Sequence, residues 1–396
     1  MYIADNRYEA FAREGWDMSA YTPFPSRGLT KEEIRKWRKI PMEMLYEGKM
    51  IVRRFSLSNE GHSTIKRVLR YFIQNIKQYR WAINKKNIKD VDAIFVASTP
   101  PLHGYMVSCV AKKHGIPFVY NVQDVFPDSL VGTGLAQKGS LLWKLGNKIE
   151  NMTYARASKI IVISEDFRNN LISKGVSEEK IEVIYNWVDE EAVVNVPRLK
   201  NKLFAKYNLN PSKFYITYSG NIGMTQNMDM LLSVMEELQT KAPDVELILI
   251  GEGAYKAQVE RVVKEKKFMN VTLLPFQPYE DISHVFSLGD VGLVISKPGV
   301  GANSVPSKTW SIMSASRPVL ANFDENELKT IIEENNCGIF TKAGDKVAFT
   351  DAILKLYHDR ELCKVMGSNG RKFVMDNLTK EVGTQKYVDV IKSFEK

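Results

Sequence analysis

The chain has 396 residues, 44% of them hydrophobic and 26% charged, with a formal net charge of +9. That length is more than one ordinary domain needs and suits two, and the composition excludes disorder as the main state. Cys109, Cys337 and Cys363 lie far apart with no C-x-x-C spacing, and the five histidines form no H-x-x-x-H pair, so neither a disulfide framework nor a bound metal is expected.

The charge is concentrated. Lys31 to Lys89 holds 16 Lys and Arg against 5 Asp and Glu, a local balance of +11 that leaves −2 for the rest of the chain. Such a region attracts nucleic acid or an anionic membrane surface, or it is a solvated helical face. No zinc-finger, RNP or helix-turn-helix signature accompanies it, so nucleic acid is not an expected partner. The longest apolar runs, such as Ile160–Ile163 and Leu247–Ile250, fall far short of the ~18 residues that span a bilayer. Met1–Arg13 has no apolar core of a secretory signal. A cytoplasmic location follows as the expectation.

In chain order, a helix is predicted over Ala4–Glu14 and a strand over Trp16–Tyr21. His62–Ile83 reads as a second helix, with Ile65, Val68, Leu69, Phe72, Ile73, Ile76 and Tyr79 recurring at three- and four-residue spacing. Lys66, Arg67, Arg70, Lys77 and Arg80 take much of its remaining surface. A basic amphipathic helix of this kind lies on a membrane interface, or covers a sheet with its basic face in water.

Near-continuous apolar runs then mark strands at Val91–Ala97, Pro117–Val122, Lys159–Ile163 and Ile181–Tyr185. A second series follows at Phe214–Ser219, Val245–Ile250, Asn270–Leu274, Asp290–Ile295, Pro318–Ala321 and Cys337–Thr341. Helical patterns such as Leu135–Ala157 and Met228–Lys241 separate them. Strand–helix alternation with strands apolar on both faces predicts an α/β protein of doubly wound parallel sheets. The alternation pauses between Asp189 and Ser212, a segment with Pro197, a basic run and Asn210–Pro211, which reads as a linker between two Rossmann-like halves.

Ligands of open α/β sheets bind beyond the carboxyl ends of the strands, so the turns there carry the chemistry. Tyr218-Ser219-Gly220-Asn221-Ile222-Gly223 lets backbone amides approach a phosphate, and the helix after it turns its positive end to the same anion. Gly251-Glu252-Gly253 repeats the design one strand later. Leu274-Pro275-Phe276-Gln277 offers a strand end to a base. Asn303-Ser304-Val305-Pro306-Ser307-Lys308 opens a further helix with small polar groups and one ammonium. Each turn alone is also a plausible structural turn; four at successive strand ends point to a nucleotide site.

In that order, Gly220–Gly223, Gly251–Gly253, Pro275-Phe276 and Val305-Pro306-Ser307-Lys308 resemble glycosyltransferase family 4, most closely its bacterial surface-polysaccharide branch. Val183-Ile184-Tyr185-Asn186-Trp187-Val188-Asp189 is similar to that family's signature before the linker, and Asn121-Val122-Gln123-Asp124-Val125-Phe126-Pro127-Asp128 to its N-domain motif. Pro318–Ala321 resembles the strand after the donor-binding helix. The resemblance implies a GT-B fold, two Rossmann-like domains facing a cleft: an acceptor domain over residues 1–190, a linker over 191–212, a donor domain over 213–378, and a helix over 379–396 returning to the first domain.

It further implies metal-independent transfer, with retention, of a hexosyl or N-acetylhexosaminyl group from a nucleotide-sugar, expected to be a UDP-sugar. The implied acceptor is a polyprenyl-diphosphate-linked saccharide in capsule, exopolysaccharide or O-antigen synthesis. The enzyme would lie peripherally on the inner face of the plasma membrane, touching anionic lipid through Lys31–Lys89. No cofactor is implied. Helix N-termini and a lysine stabilise the leaving diphosphate.

Carried over by position, Gly220, Asn221 and Gly223 cradle phosphates, Lys308 with Ser307 neutralises the diphosphate, and Gly251, Glu252, Pro275 and Phe276 line the base. Gln123 stands where many members place a His, Asp124 and Asp128 flank it, and Ser164-Glu165 lie at a neighbouring strand end on the acceptor side. Pro306 completes the donor loop. Where relatives carry two Glu at the donor site this chain has Asn303 and Ser311, and the loop Met224-Thr225-Gln226 lacks the usual basic residue. The family's first strand and its glycine loop have no counterpart ahead of Ala4–Glu14. Two other readings stay open: a nucleotide-sugar epimerase, and a non-catalytic nucleotide-sugar-binding protein.

Overall fold

The computed structural model describes residues 3–26, 29–58, 64–100, 102–129, 137–301 and 305–395, the side chains of Thr64 and Ile65 excepted. It divides into two compact units, Tyr185–Gly383, and Tyr2–Ile184 with Thr384–Lys396. The C-terminal segment from Thr384 thus folds with the N-terminal half.

In that N-terminal unit the order is α1 (Ile3–Arg13), β1 (Met18–Pro23), α2 (Lys31–Trp37), β2 (Met42–Leu45), β3 (Met50–Phe55), α3 (Thr64–Ala82), β4 (Ile94–Ala97), α4 (His103–His114), β5 (Phe118–Val122), α5 (Leu141–Arg156), β6 (Lys159–Val162), α6 (Glu165–Ser173) and β7 (Ile181–Val183). Strands β4-β5-β6-β7 form a parallel sheet. Strands β1-β3-β2 form a separate one, with β1 parallel and β2 antiparallel to β3. The β2–β3 hairpin was not legible as two strands. Its turn depends on Tyr46, Glu47 and Gly48 all adopting positive φ, which two of those residue types rarely do.

The second unit continues with α7 (Lys202–Lys206), β8 (Phe214–Ser219), α8 (Met228–Lys241), β9 (Val245–Ile250), α9 (Lys256–Glu265), β10 (Val271–Leu274), α10 (Ile282–Phe286), β11 (Val291–Ile295), α11 (Lys308–Ser314), β12 (Val319–Phe323), α12 (Glu327–Glu334), β13 (Gly338–Lys342), α13 (Lys346–His358) and α14 (Arg360–Asn377). Helix α15 (Lys380–Lys392) leads back into the first unit. The six-stranded sheet has the order β10-β9-β8-β11-β12-β13, and every pairing is parallel. Residues 191–212 pack into this unit, with Leu203 and Phe204 of α7 buried.

Both parallel sheets are built from β-branched and aromatic runs buried on both faces: Phe118–Val122 and Val291–Ile295 are buried throughout. The β8–β11 pair is where the strand order reverses, and crossovers leave that point to opposite sides, which opens a crevice at its carboxyl end. Gly292 sets how close the next helix comes, since a Cβ there would lie 2.6 Å from Ile312 of α11. The glycine therefore lets α11 sit on the sheet and delivers Lys308, its first residue, to the switch point.

Helix α3 turns part of its apolar stripe outward. Arg70 and Asn75 are buried, whereas Val68, Leu69 and Phe72 are each more than half exposed. Arg70 donates to Ser58 O and Ser26 Oγ, contacts that hold the helix with a cation inward and an apolar stripe outward. Among the described residues no helix is long and apolar enough to cross a membrane.

Below β5, the Glu150 carboxylate is 2% exposed and accepts from the Tyr120 hydroxyl at 3.0 Å. Burial pushes it up to about 7, with the Tyr120 and Tyr154 hydroxyls opposing. A folded-state value above the unfolded one of ~4.3 gives stability that is full below the latter and lost as pH rises through the former. Glu150→Gln is therefore expected to raise the melting temperature by roughly 5 °C at pH 8 and to change it little at pH 5. Calorimetric scans at the two pH values check this.

Candidate functional site

The turns after β8 and β9 are pressed together by their glycines. Gly220 N donates to Ile250 O at 2.9 Å and Ile222 N to Glu252 O at 2.8 Å. A Cβ on Gly251 would lie 1.9 Å from Gly220 O, and one on Gly253 2.2 Å from Ile222 O. Gly220 and Gly251 have φ of +137° and +150°, open to glycine and strained for other residues. Tyr218 donates to Asn221 O at 2.7 Å, and Gly223 N to Gln226 Oε1 at 3.0 Å, which fixes the rest of the β8 turn. The result is a wall of backbone at Gly220, Gly251 and Gly253, with the Asn221 and Gln226 side chains beside Gly223.

Lys308 reaches this wall from the other side of the switch point. Its Nζ lies 3.6 Å from the centroid of the Tyr218 ring and 3.0 Å from where a Gly220 Cβ would stand. No carboxylate among the described residues is paired with it. Burial alone brings the ammonium down to about 7. Among the described residues the buried cation has a ring face and no counter-charge, which a phosphate against the glycine wall would supply.

Other expected residues take varied places. Pro275 and Phe276 stand at the end of β10, with Phe276 72% exposed and its ring free to stack. Glu252 is tied to Lys256 at 2.7 Å. Pro306 and Ser307 precede α11, where Ser307 makes no side-chain cap, and Ser311 lies three residues past Lys308, on the same face. Asn303 lies outside the described residues. Two features escaped sequence reading. Lys297, two residues past β11, donates its backbone N–H to Thr225 O at 2.8 Å, putting a second lysine beside the uncharged Met224–Gln226 loop. Asp324 accepts from Gly299 N and Gly301 N and so shapes the loop carrying that lysine. The signal was a lysine and two glycines after a strand, common in ordinary loops.

In the N-terminal unit, Ser98 Oγ accepts from Gln123 N at 3.1 Å and Asp124 N at 3.3 Å, locking the turn after β5. Gln123 Nε2 donates to Asn121 Oδ1 at 3.0 Å, and the buried Tyr387 hydroxyl donates to the same oxygen at 3.1 Å. Asp124 is exposed. His103, at the start of α4, is kept neutral by burial, down to about 4.

Three acceptor-side candidates are already engaged. Asp128 accepts from Lys174 at 2.7 Å, Trp143 at 3.0 Å and Asn170 at 3.2 Å, and against the opposing effect of burial these partners lower its pKa. It braces the loop after β5. Ser164 Oγ caps α6 by accepting from Phe167 N, and Glu165 pairs with Arg168.

The profile described as "Glycosyl transferases group 1" matches residues 200–373, and that described as "Glycosyltransferase Family 4" matches residues 4–192. The chain belongs to the family 4, group 1 glycosyltransferases. The glycosyltransferase is 25% identical over 306 residues to the probable glycosyltransferase WbjE of Pseudomonas aeruginosa, covering 76% of this chain and 74% of that one. It is 29% identical to the putative colanic acid biosynthesis glycosyl transferase WcaI of Escherichia coli K12, covering 64% of this chain and 62% of that one. The solved structure of Anabaena HepE in complex with UDP superposes with a TM-score of 0.71 at 14% identity, covering 95% of this chain and 100% of that one. The fold is accordingly GT-B, with a Rossmann-like sheet in each unit.

Proposed function

We propose that this glycosyltransferase transfers a hexosyl or N-acetylhexosaminyl group from a UDP-sugar to a lipid-linked saccharide in cell-surface polysaccharide synthesis, with retention and without a metal ion. The observation that carries the reading is Lys308, a buried cation with no carboxylate partner among the described residues, set against the glycine turns after β8 and β9. Support for the donor comes from HepE, whose structure holds UDP. Support for the pathway comes from WcaI, named for colanic acid.

In this reading the diphosphate lies along the backbone of Gly220–Gly223 and Gly251, which the glycines leave open to close approach. As the sugar–phosphate bond breaks, charge gathers on the leaving β-phosphate, and Lys308 meets it in a site of low dielectric. Phe276 stacks on the base. In the N-terminal unit, Gln123, set by Asn121, offers a hydrogen bond to a sugar hydroxyl. Asp124 is the exposed carboxylate available to the acceptor. The acceptor's lipid keeps the N-terminal unit at the anionic inner leaflet, with Lys31–Lys89 as its basic surface.

Release of UDP from a panel of UDP-sugars, with and without an extract of lipid-linked saccharides, tests transfer. Acceptor-dependent UDP release is expected. Nucleotide binding with no release under any condition would favour the non-catalytic reading.

A pH dependence follows from Lys308. Its value of about 7 in the empty site is expected to return toward the ordinary lysine range once a diphosphate is bound. Below pH 7 the ammonium is present before and after binding. Above it, binding must take up a proton, so UDP affinity is expected to fall about tenfold per pH unit between pH 7 and 9. Calorimetric titration in buffers of different ionisation enthalpy checks both the slope and the proton uptake.

A further inference from the structure

Helices α3, α4 and α5 lie side by side in the N-terminal unit. The carboxyl ends of α3 and α4 meet at His114 Nε2 and Ile83 O, 3.2 Å apart, and Arg156 of α5 donates to Ser108 of α4. The first turns of α3 overhang the carboxyl ends of β1 and β3, since Arg70 donates to Ser26 and Ser58 just past those strands. The first turns of α5 overhang the carboxyl end of β5. A Cβ on Gly146 would meet Phe126 at 2.9 Å, and Trp143 donates to Asp128. Both overhangs therefore stand on the rim that carries Gln123 and Asp124.

That rim is apolar where water should be. Val68, Leu69 and Phe72 of α3 and Leu141, Leu142 and Leu145 of α5 are each more than half exposed, Leu141 at 84%. Single exposed leucines need no cause, but two clusters on one rim do. Their surroundings are cationic. Helix α3 contains no acidic residue, and the only acid of α5, Glu150, is buried. Arg67, Lys144 and Lys148 are exposed. A shallow groove of about 460 Å³ along α5, lined by Trp143, Lys144, Asn147 and Lys148, has room for a headgroup.

We infer that this rim is a lipid-inserting face, in which the leucines of α5 and the apolar stripe of α3 enter the outer part of an anionic bilayer while Arg67, Lys144 and Lys148 bind its headgroups. The inference rests on the membrane reading above and adds to it the inserting residues, half of which lie outside the basic region. The face sets Gln123 and Asp124 at the level where a lipid-anchored acceptor presents its first sugars.

Co-sedimentation with vesicles of phosphatidylglycerol and phosphatidylcholine, and of phosphatidylcholine alone, tests it. The full chain is compared with the variant Leu141→Asn, Leu142→Asn, Leu145→Asn, whose changes are all at exposed positions, and with Phe72→Ser. Binding to the anionic vesicles is expected, at least tenfold weaker in the triple variant and reduced in Phe72→Ser, with melting temperatures unchanged. Binding that is equal in wild type and both variants would overturn the inserting face and leave the basic-surface reading standing. No binding of wild type to either vesicle would overturn both. A wild-type dimer that becomes monomeric in the triple variant, without vesicle binding, would reassign the face to a second copy of the chain.

Discussion

Lys308→Met is expected to raise the melting temperature of the nucleotide-free protein while lowering UDP affinity roughly 100-fold, in line with a charge-assisted contact of about 2–3 kcal/mol. The two effects have one origin. The ammonium is buried against Tyr218 with no carboxylate beside it among the described residues, so the empty site bears a desolvation cost that methionine, of similar length, does not. A residue kept for packing gives the opposite pattern, with stability falling and binding following it. Scanning calorimetry of the empty protein and titration with UDP separate the cases.

The second large effect is on the backbone. Gly251→Ala is expected to lower the melting temperature by at least ~5 °C and to remove any UDP-dependent shift. The new methyl group must occupy space 1.9 Å from Gly220 O, and the residue must keep a φ of +150°. Neither violation is relieved by a rotamer change, because the obstacle is backbone. Gly299→Ala is the control: its φ is +79°, yet nothing lies within 4 Å of the added carbon, so only the conformational cost of about 1 kcal/mol remains. A Gly251→Ala protein that melts like the control would mean that the two turns are not held together as described.

The parallel strands were legible because burial on both faces leaves continuous apolar runs. Phe214–Ser219 and Val245–Ile250 were placed to the residue, and the other strands of the four- and six-stranded sheets to within three at each end. The turns after β8 and β9 were legible as tight turns because glycines follow the apolar runs, although each alone is also an ordinary structural turn. What sequence could not supply was partnership. Asp128 and Asp124 look alike in the motif, yet one is held by Lys174, Trp143 and Asn170 and the other is exposed. Ser164 reads as a site residue or a helix cap with equal ease until Phe167 N is seen to donate to it. Helix α3 was left between two readings for the same reason: periodicity found the apolar stripe, but only Arg70 reaching Ser26 and Ser58 decides which face turns inward. Lys297 had no pattern to announce it and depends on a backbone contact with Thr225 across the site.

The central claim is that the carboxyl ends of β8, β9 and β11 hold a nucleoside diphosphate through the glycine wall and Lys308. Titration calorimetry of the purified protein with UDP, GDP, ADP and CDP at pH 7 tests it most directly. The account predicts measurable binding of UDP, weaker heats with the others, and loss of the UDP signal in Lys308→Met. No binding of any nucleoside diphosphate by the folded protein, or UDP binding unchanged in that variant, would contradict it.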